Sequence, residues 1–280
     1  QGVEFTGGRS YVVKFNETVN IEDVRVSVED VFEGVADAAN SSVEVKQFGD
    51  DNQVRIVTQY QPAELDGEEA NDAVDRLLFD ALDQYFTIDG FGFDEFRTAG
   101  DGISQWGIVS SEQVNESISS EMTQNSIIAV LIALVAIGFY IAIRFRRWQW
   151  AMGATVALAH NALLVIGIFS MLYAVMPFNL EVNQAFIAAI LTIIGYSIND
   201  TVVIFDRIRE YLGLYPKRDI KSNIDNAICA TLSRTINTSG TTLVTLLAIF
   251  IFGGETIRGF VFALILGVII GTYSSVFIAT

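Results

Sequence analysis

The sequence predicts an α+β domain of the ferredoxin-like type over residues 1–125, followed by an all-α bundle of five transmembrane helices over residues 126–280. Charge and hydrophobicity separate the two parts. The chain is 51% hydrophobic, yet its net charge is −16. The first part holds 26 acidic against 7 basic residues, whereas the second holds 7 against 10 and contains five long apolar runs. These patterns indicate a solvated acidic domain joined to a membrane-embedded one.

The first part opens with a strand and a helix. Tyr11, Val13 and Phe15 occupy alternate positions, as in a half-buried strand. Apolar residues then recur at helical spacing over residues 21–32, directly after Asn20, a residue type that caps helix N-termini. The sequence therefore predicts a strand followed by a capped helix.

A hairpin and a second helix follow. The runs 43–45 and 54–60 alternate in polarity on either side of the turn-forming residues 49–52. Residues 70–86 carry one continuous apolar stripe at helical spacing. We expect an extended stretch within residues 91–109 to complete the β-α-β-β-α-β order of a ferredoxin-like domain.

The second part contains apolar runs of about the length that crosses a bilayer. They cover residues 126–143, 150–172, 183–205, 233–252 and 257–280. The loops after the first and third runs are rich in Lys and Arg, which places them in the cytoplasm. Residues 177–183 and 253–257 contain neither, so the acidic domain is expected on the outer side. Such a domain needs a preceding targeting segment, so we expect that a first transmembrane helix precedes residue 1.

Several function classes are disfavoured by composition. An acidic domain repels phosphates, which argues against nucleic acid as a partner. His160 and Cys229 are each the sole residue of their type, and the sequence has no P-loop motif. The sequence therefore predicts neither a metal cluster nor a nucleotide cofactor. A membrane hydrolase is the weakest interpretation because no nucleophile or acid is evident around His160.

Asp200 is the residue most suited to chemistry, since it lies within the third apolar run. Placing a carboxylate at membrane depth costs roughly 2.5 to 3.5 kcal/mol on insertion scales, so such residues generally face a bundle interior and serve transport. Asp200 could exchange a proton there. The alternative is a static ion pair or a hydrated carboxylate near the cytoplasmic boundary, the role that we assign to Asp206 and Glu210.

Polar residues accompany Asp200 on two predicted helices. Arg234 opens the fourth run, and Asn237 and Thr238 follow it at spacings of three and four, on one helix face. Tyr196 and Asn199 precede Asp200 on its own helix. We predict a proton relay of Asp200 and Arg234 beside this polar face. Snorkelling of Arg234 to the interface and packing of polar residues between helices remain alternatives.

The run from Ile194 to Glu210, IGYSINDTVVIFDRIRE, resembles the signature of the SecF family. Three further segments agree with that resemblance: residues 2–8, 231–240 and 252–275. The similarity therefore extends over nearly the whole chain.

The resemblance implies a six-helix subunit of the RND-like superfamily in the bacterial cytoplasmic membrane. It would act with SecD, separate or fused, beside the SecYEG channel on unfolded preproteins, with protons as the coupling ion and no cofactor. In that family the acid matching Asp200 and the arginine matching Arg234 belong to the proton pathway, together with an acid from SecD. The chain departs from the family pattern at Asn161, where an aspartate is common, and over residues 109–124.

Protonation of Asp200 is then expected to relax its pairing with Arg234, to shift the helices and to move the outer domain. This is a transport function rather than an enzymatic one. Two alternatives remain: an RND-type exporter of small molecules or lipids, which needs a large apolar cleft, and a scaffold in which Asp200 is structural.

Overall fold

The computed structural model consists of two compact units, residues 1–123 and 124–280, each with its own core. Each unit is described by itself. The structure describes residues 2–35, 43–60, 62, 67–102, 104–173, 175–176, 178 and 180–280.

The first unit is built on a four-stranded antiparallel sheet in the order β2-β3-β1-β4. The strands are β1 (Gly8–Lys14), β2 (Val43–Gln47), β3 (Gln53–Thr58) and β4 (Gly107–Val114). The helices are α1 (Val3–Thr6), α2 (Ile21–Glu33), α3 (Glu68–Leu82) and α4 (Phe93–Arg97), with short 3-10 turns at Asp83–Tyr85 and Thr98–Asp101. This order and topology confirm the predicted ferredoxin-like fold.

The core of this unit follows from the alternation in β1. Tyr11, Val13 and Phe15 are almost completely buried, because strand residues two apart share a face. They pack with apolar residues of α2 and α3, including Phe32 and Leu78. The side chain of Asn20 accepts a hydrogen bond from the backbone of Glu22, so the predicted cap is present.

The last strand of the predicted fold is present, but it lies later in the chain than the expected stretch within residues 91–109. Most of that range forms α4 and the following 3-10 turn, and the strand β4 begins at Gly107. Phe96 on α4 is completely buried in the core, which anchors this helical segment. Gly107 has φ +119°, and a Cβ there would lie 2.2 Å from the carbonyl oxygen of Phe96. The strand was misplaced because residues 110–113 are polar and exposed, so no apolar alternation marks its second half.

In the described part of the second unit, five helices are long and apolar enough to cross a membrane. They are α5 (Glu116–Phe145), α6 (Trp148–Leu172), α7 (Gln184–Leu214), α8 (Ile220–Phe252) and α9 (Glu255–Phe277). Several helices exceed the predicted apolar runs: α5 begins at 116 rather than 126, and α8 at 220 rather than 233. An apolar run marks only the hydrocarbon-spanning segment, whereas the backbone hydrogen bonds of a helix continue into the polar zone.

Helices α7 and α9 form the centre of the second unit. Of the most apolar stretch of each helix, 44% is buried in α7 and 50% in α9, against 6% in α5. The close approach depends on Gly267, since a Cβ there would lie 2.2 Å from the Ile193 side chain. Gly271 contacts Ser197 in the same seam, where an added Cβ would lie 3.2 Å from the Ser197 Cβ. Small residues permit such contacts between membrane helices.

Candidate functional site

Asp200 lies on the inner face of α7. The residue is 5% exposed, and its neighbours on the same face, Ser197 and Ile204, are also buried. The carboxylate oxygen Oδ2 has no hydrogen-bond partner among the described residues. A buried carboxylate oxygen without a donor is costly in its charged form, and ionisable residues in membrane helices are generally functional, which makes Asp200 the candidate site residue.

Arg234, on α8, is the cation that acts on this carboxylate. Its charge interacts electrostatically with Asp200, but no ion pair within 4 Å joins the two residues in the described part of the chain. Arg234 itself is exposed in this unit. The pair is therefore near enough to interact without the direct contact that would fix Asp200 in its ionised form.

The polar face of α8 continues from Arg234 along the helix toward its C-terminal half. The Thr238 hydroxyl donates to the Arg234 carbonyl at 2.9 Å, and the Thr242 hydroxyl donates to the Thr238 carbonyl at 3.0 Å. Tyr196 reaches this face from α7, since its hydroxyl lies 3.2 Å from Thr242 Oγ1. Asn237 is exposed on the same helix. The structure thus joins Tyr196 to the α8 face through Thr242.

Asn199 has a different environment from Tyr196. It lines a groove of about 410 Å³ between α5 and α7, together with apolar residues such as Ile137 and Val202. The groove is lined by α5 and α7 only, so Asn199 and the α8 face do not meet in it.

A polar seam at the centre of the second unit was not predicted as a cluster. Asn161 on α6 is completely buried, and its Nδ2 donates to Ser197 Oγ at 3.0 Å. His160 Nδ1 lies 3.5 Å from the Asn161 side-chain oxygen. The signal available in the sequence was the spacing of Ser197 and Asp200, three residues apart on one helix face. The partner on α6 could be found only from the packing of the helices.

The carboxylates predicted to be structural are engaged in ion pairs. Asp206 contacts Arg144 at 3.1 Å and Arg209 at 2.8 Å, and Glu210 contacts Arg207 at 2.7 Å. All of these side chains are at least a third exposed. Exposed pairs of this kind contribute little to stability. Asp206 and Glu210 therefore differ from Asp200 in both burial and partnering.

Comparison with known proteins identifies relatives over the full length of the chain. The family model described as "Protein export membrane protein SecD/SecF, C-terminal" matches residues 98–280. A protein translocase subunit SecF of Rhodothermus marinus is 38% identical over 280 residues, which are all of this chain and 80% of that protein. A protein translocase subunit SecF of Vibrio alginolyticus is 34% identical over 280 residues and 78% of its own length.

The fold has a counterpart among solved structures. A crystal structure of SecDF, a translocon-associated membrane protein from Thermus thermophilus, superposes with a TM-score of 0.73 at 28% sequence identity. The superposition covers 99% of this chain and 33% of the SecDF chain. The chain therefore spans a third of that larger protein.

Proposed function

Because the chain belongs to the SecD/SecF family of protein-export membrane proteins, we propose that it uses the proton-motive force to promote movement of unfolded preproteins across the membrane. Family membership places it among SecF-type proteins of the bacterial inner membrane, with a role in translocation rather than catalysis. We propose in addition the driving ion, the residues that carry it and the individual partners.

The observation that carries the proposal is the unpartnered carboxylate of Asp200. Its Oδ2 atom is buried without a hydrogen-bond donor in the described residues, and Arg234 acts on it only at longer range. Each proton that crosses the membrane is worth about 2.3 kcal/mol per 100 mV of potential. Protonation removes the attraction between Asp200 and Arg234, so α7 and α8 can repack in response to proton entry.

The proton path follows the polar face that Tyr196, Asn237 and Thr238 form beside Arg234. Within the second unit, only 17% of the most apolar stretch of α8 is buried, and Arg234 and Asn237 are exposed. Polar groups facing lipid are costly, so this face requires cover from another membrane protein. We assign that cover to SecD, separate or fused, with SecYEG as the channel and the preprotein as the substrate. The acidic unit then lies outside the cytoplasmic membrane.

Asp200→Asn tests the proposal in cells depleted of their own SecF and carrying the full-length protein. Asparagine keeps the shape of the side chain but cannot exchange a proton. We expect the rate of export of a reporter preprotein to fall by at least about tenfold, which corresponds to about 1.4 kcal/mol in the activation free energy of export. Membrane levels of the variant, measured by immunoblot, should stay normal.

Asp206→Asn is the matched control, because Asp206 lies on the same helix and is held in exposed ion pairs. It should leave export unchanged. Equal export in both variants and the wild type would make Asp200 a structural residue and would favour a scaffolding role.

A further inference from the structure

Arginines collect at one end of the membrane helices of the second unit. The turn between α5 and α6 consists of Arg146 and Arg147, and Arg144 precedes it on the last turn of α5. Arg207 and Arg209 lie in the C-terminal part of α7. These five residues form what we call the arginine patch. The proposed export function does not use it.

Packing of three aromatic rings brings the arginines of different helices together. The ring of Phe205 on α7 lies 5.6 Å from that of Phe145 on α5 and 4.6 Å from that of Trp150 on α6, measured between centroids. The guanidinium carbons of Arg144 and Arg209 lie 5.4 and 5.3 Å from the centre of the Phe145 ring. Side chains from α5 and α7 therefore converge on one surface above this aromatic cluster.

Carboxylates neutralise only part of the arginine patch. Asp206 lies 3.1 Å from Arg144 and 2.8 Å from Arg209, and the remaining ion pair of the patch joins two residues of α7 itself. Arg146 and Arg147 are exposed, and neither lies within 4 Å of a carboxylate in the described part of the chain. The excess positive charge of the patch is therefore concentrated on the turn between α5 and α6.

The backbone of Arg146 is unusual for a residue with a side chain. Its φ is +55°, and every other residue with positive φ in the described part of the chain is a glycine. This left-handed conformation is unfavourable for an arginine and readily adopted by glycine. Residues held in such conformations cluster at functional sites. The turn is therefore a candidate binding surface on its backbone geometry as well as on its charge.

The position of the turn along the helices indicates which partner it meets. Ile143 and Trp148, on either side of it, are 63% and 64% exposed. An exposed isoleucine at the end of a long apolar run faces lipid, and tryptophan is enriched at the level of the lipid headgroups. The arginines between them therefore lie at the depth of the lipid phosphates. Basic clusters directly outside membrane helices bind anionic headgroups, which favours a lipid over a soluble partner.

We propose that Arg146 and Arg147, with Arg144 and Arg209 beside them, bind the phosphodiester headgroup of an anionic phospholipid such as phosphatidylglycerol. Guanidinium groups bind phosphate oxygens in a bidentate manner. A zwitterionic lipid carries the same phosphate, but the excess positive charge of the patch repels its cationic group. The proposal depends on the placement of α5, α6 and α7 in the membrane and is independent of the proton-driven export function.

Two double variants remove the same charge from different places. Arg146→Gly combined with Arg147→Gln takes two positive charges from the arginine patch, and glycine suits the left-handed backbone at position 146. Lys217→Gln combined with Arg218→Gln takes two positive charges from exposed positions between α7 and α8. Thermal unfolding of each purified protein without added lipid checks that it is folded. Arg147→Gln alone is a milder test at the same turn.

The experiment measures binding of phosphatidylglycerol to the purified full-length protein in detergent by native mass spectrometry. Phosphatidylcholine with the same acyl chains is the zwitterionic comparison, and the wild type should bind it more weakly. We expect the variant at positions 146 and 147 to lose affinity for phosphatidylglycerol by about thirtyfold, and Arg147→Gln alone by about fivefold. The control variant at positions 217 and 218 should keep the wild-type affinity.

Equal losses in the two double variants would overturn the proposal, because net charge rather than the patch would then determine binding. Equal affinity for the two lipids would also overturn it. Inorganic phosphate tests the source of the phosphate group: if it displaced phosphatidylglycerol more than sodium chloride of the same ionic strength did, the patch would be a site for free phosphate. Asp200→Asn should bind lipid as the wild type does, so its effect on export is judged separately.

Discussion

The two units of this protein each bury a carboxylate near arginines, and they treat it in opposite ways. Asp75 in the first unit is 8% exposed, accepts a hydrogen bond from Tyr11 and lies 3.6 Å from Arg97. Asp200 in the second unit is 5% exposed and has an oxygen without any donor in the described residues. The first carboxylate is held by its neighbours, whereas the second has an oxygen that no neighbour holds, as the proposed proton exchange requires.

The difference shows which kind of interaction holds the helices within each unit. In the first unit, donors and charges converge on the acid, so its polar contacts help to fix α3 and α4 against the sheet. In the second unit, the helix that carries the acid is positioned by close contact of α7 with α9 through Gly267. A helix held mainly by close packing can leave its carboxylate without a hydrogen-bond donor. A proton-exchanging group requires that freedom, because a direct ion pair would hold it in its ionised form.

The largest expected effect on stability is therefore at the glycine of the membrane seam. Gly267→Ala places a Cβ 2.2 Å from the buried Ile193 side chain, so the seam between α7 and α9 must widen. Overpacking of this kind costs about 1 to 3 kcal/mol. We expect a lower thermal unfolding temperature of the purified protein in detergent.

Gly240→Ala is the control, because it lies within a helix of the same unit and an added Cβ meets nothing within 4 Å. It should be neutral or slightly stabilising, since alanine favours the helix over glycine. If the two substitutions had the same effect, the position of α7 would not depend on the seam.

A smaller effect is expected at Asp75, and it depends on pH. Burial, and to a smaller extent the charge of Asp72, raise the pKa of Asp75, while the hydrogen bond from Tyr11 and the charges of Arg97 and Arg9 lower it only in part. An acid with a raised pKa in the folded state favours folding while it is protonated. That contribution is complete below its unfolded pKa of about 3.8 and is lost as pH rises through the folded pKa.

Asp75→Asn should therefore flatten the pH dependence of the first unit, and its stability relative to the wild type should rise from about pH 4 upward. Hydrogen exchange of peptides from α3, measured by mass spectrometry between pH 4 and pH 7, reports this change. Asp80→Asn is the control, since Asp80 is exposed on the same helix and is not among the charges that shift the pKa of Asp75. A variant that loses stability at neutral pH would show that the ionised form of Asp75 is required for the fold.

The sequence predicted the elements of both units better than it predicted what they bring together. Alternation in β1 and the apolar stripe of α3 reflect burial of one face, and both are visible along the chain. The strand β4 is not, because its second half is exposed and polar. Asp200 could be selected because a carboxylate in an apolar run is costly. A polar cavity of the first unit, lined by Arg9, Asp75 and Arg97 among others, could not be selected, because its residues come from β1, α3, α4 and β4 and no spacing relates them.

The smallest effect on stability is expected at the hydrogen bond between Asn161 and Ser197. It tests directly whether the second unit is held mainly by close packing. Asn161→Leu removes the donor to Ser197 Oγ at a site that is completely buried. The Ser197 hydroxyl can then bond to a carbonyl of its own helix, so the loss is partly compensated. We expect a coupling energy near 0.6 kcal/mol, the average for hydrogen bonds between membrane helices.

A double-mutant cycle of Asn161→Leu with Ser197→Ala, followed by unfolding in detergent, measures that coupling directly. A coupling energy well above about 1.7 kcal/mol, the largest found for such bonds, would contradict the inference that close packing holds the helices of the second unit. The membrane unit would then be held by its polar contacts as the first unit is. The unpaired state of Asp200 would in that case need a cause other than close packing of the helix that carries it.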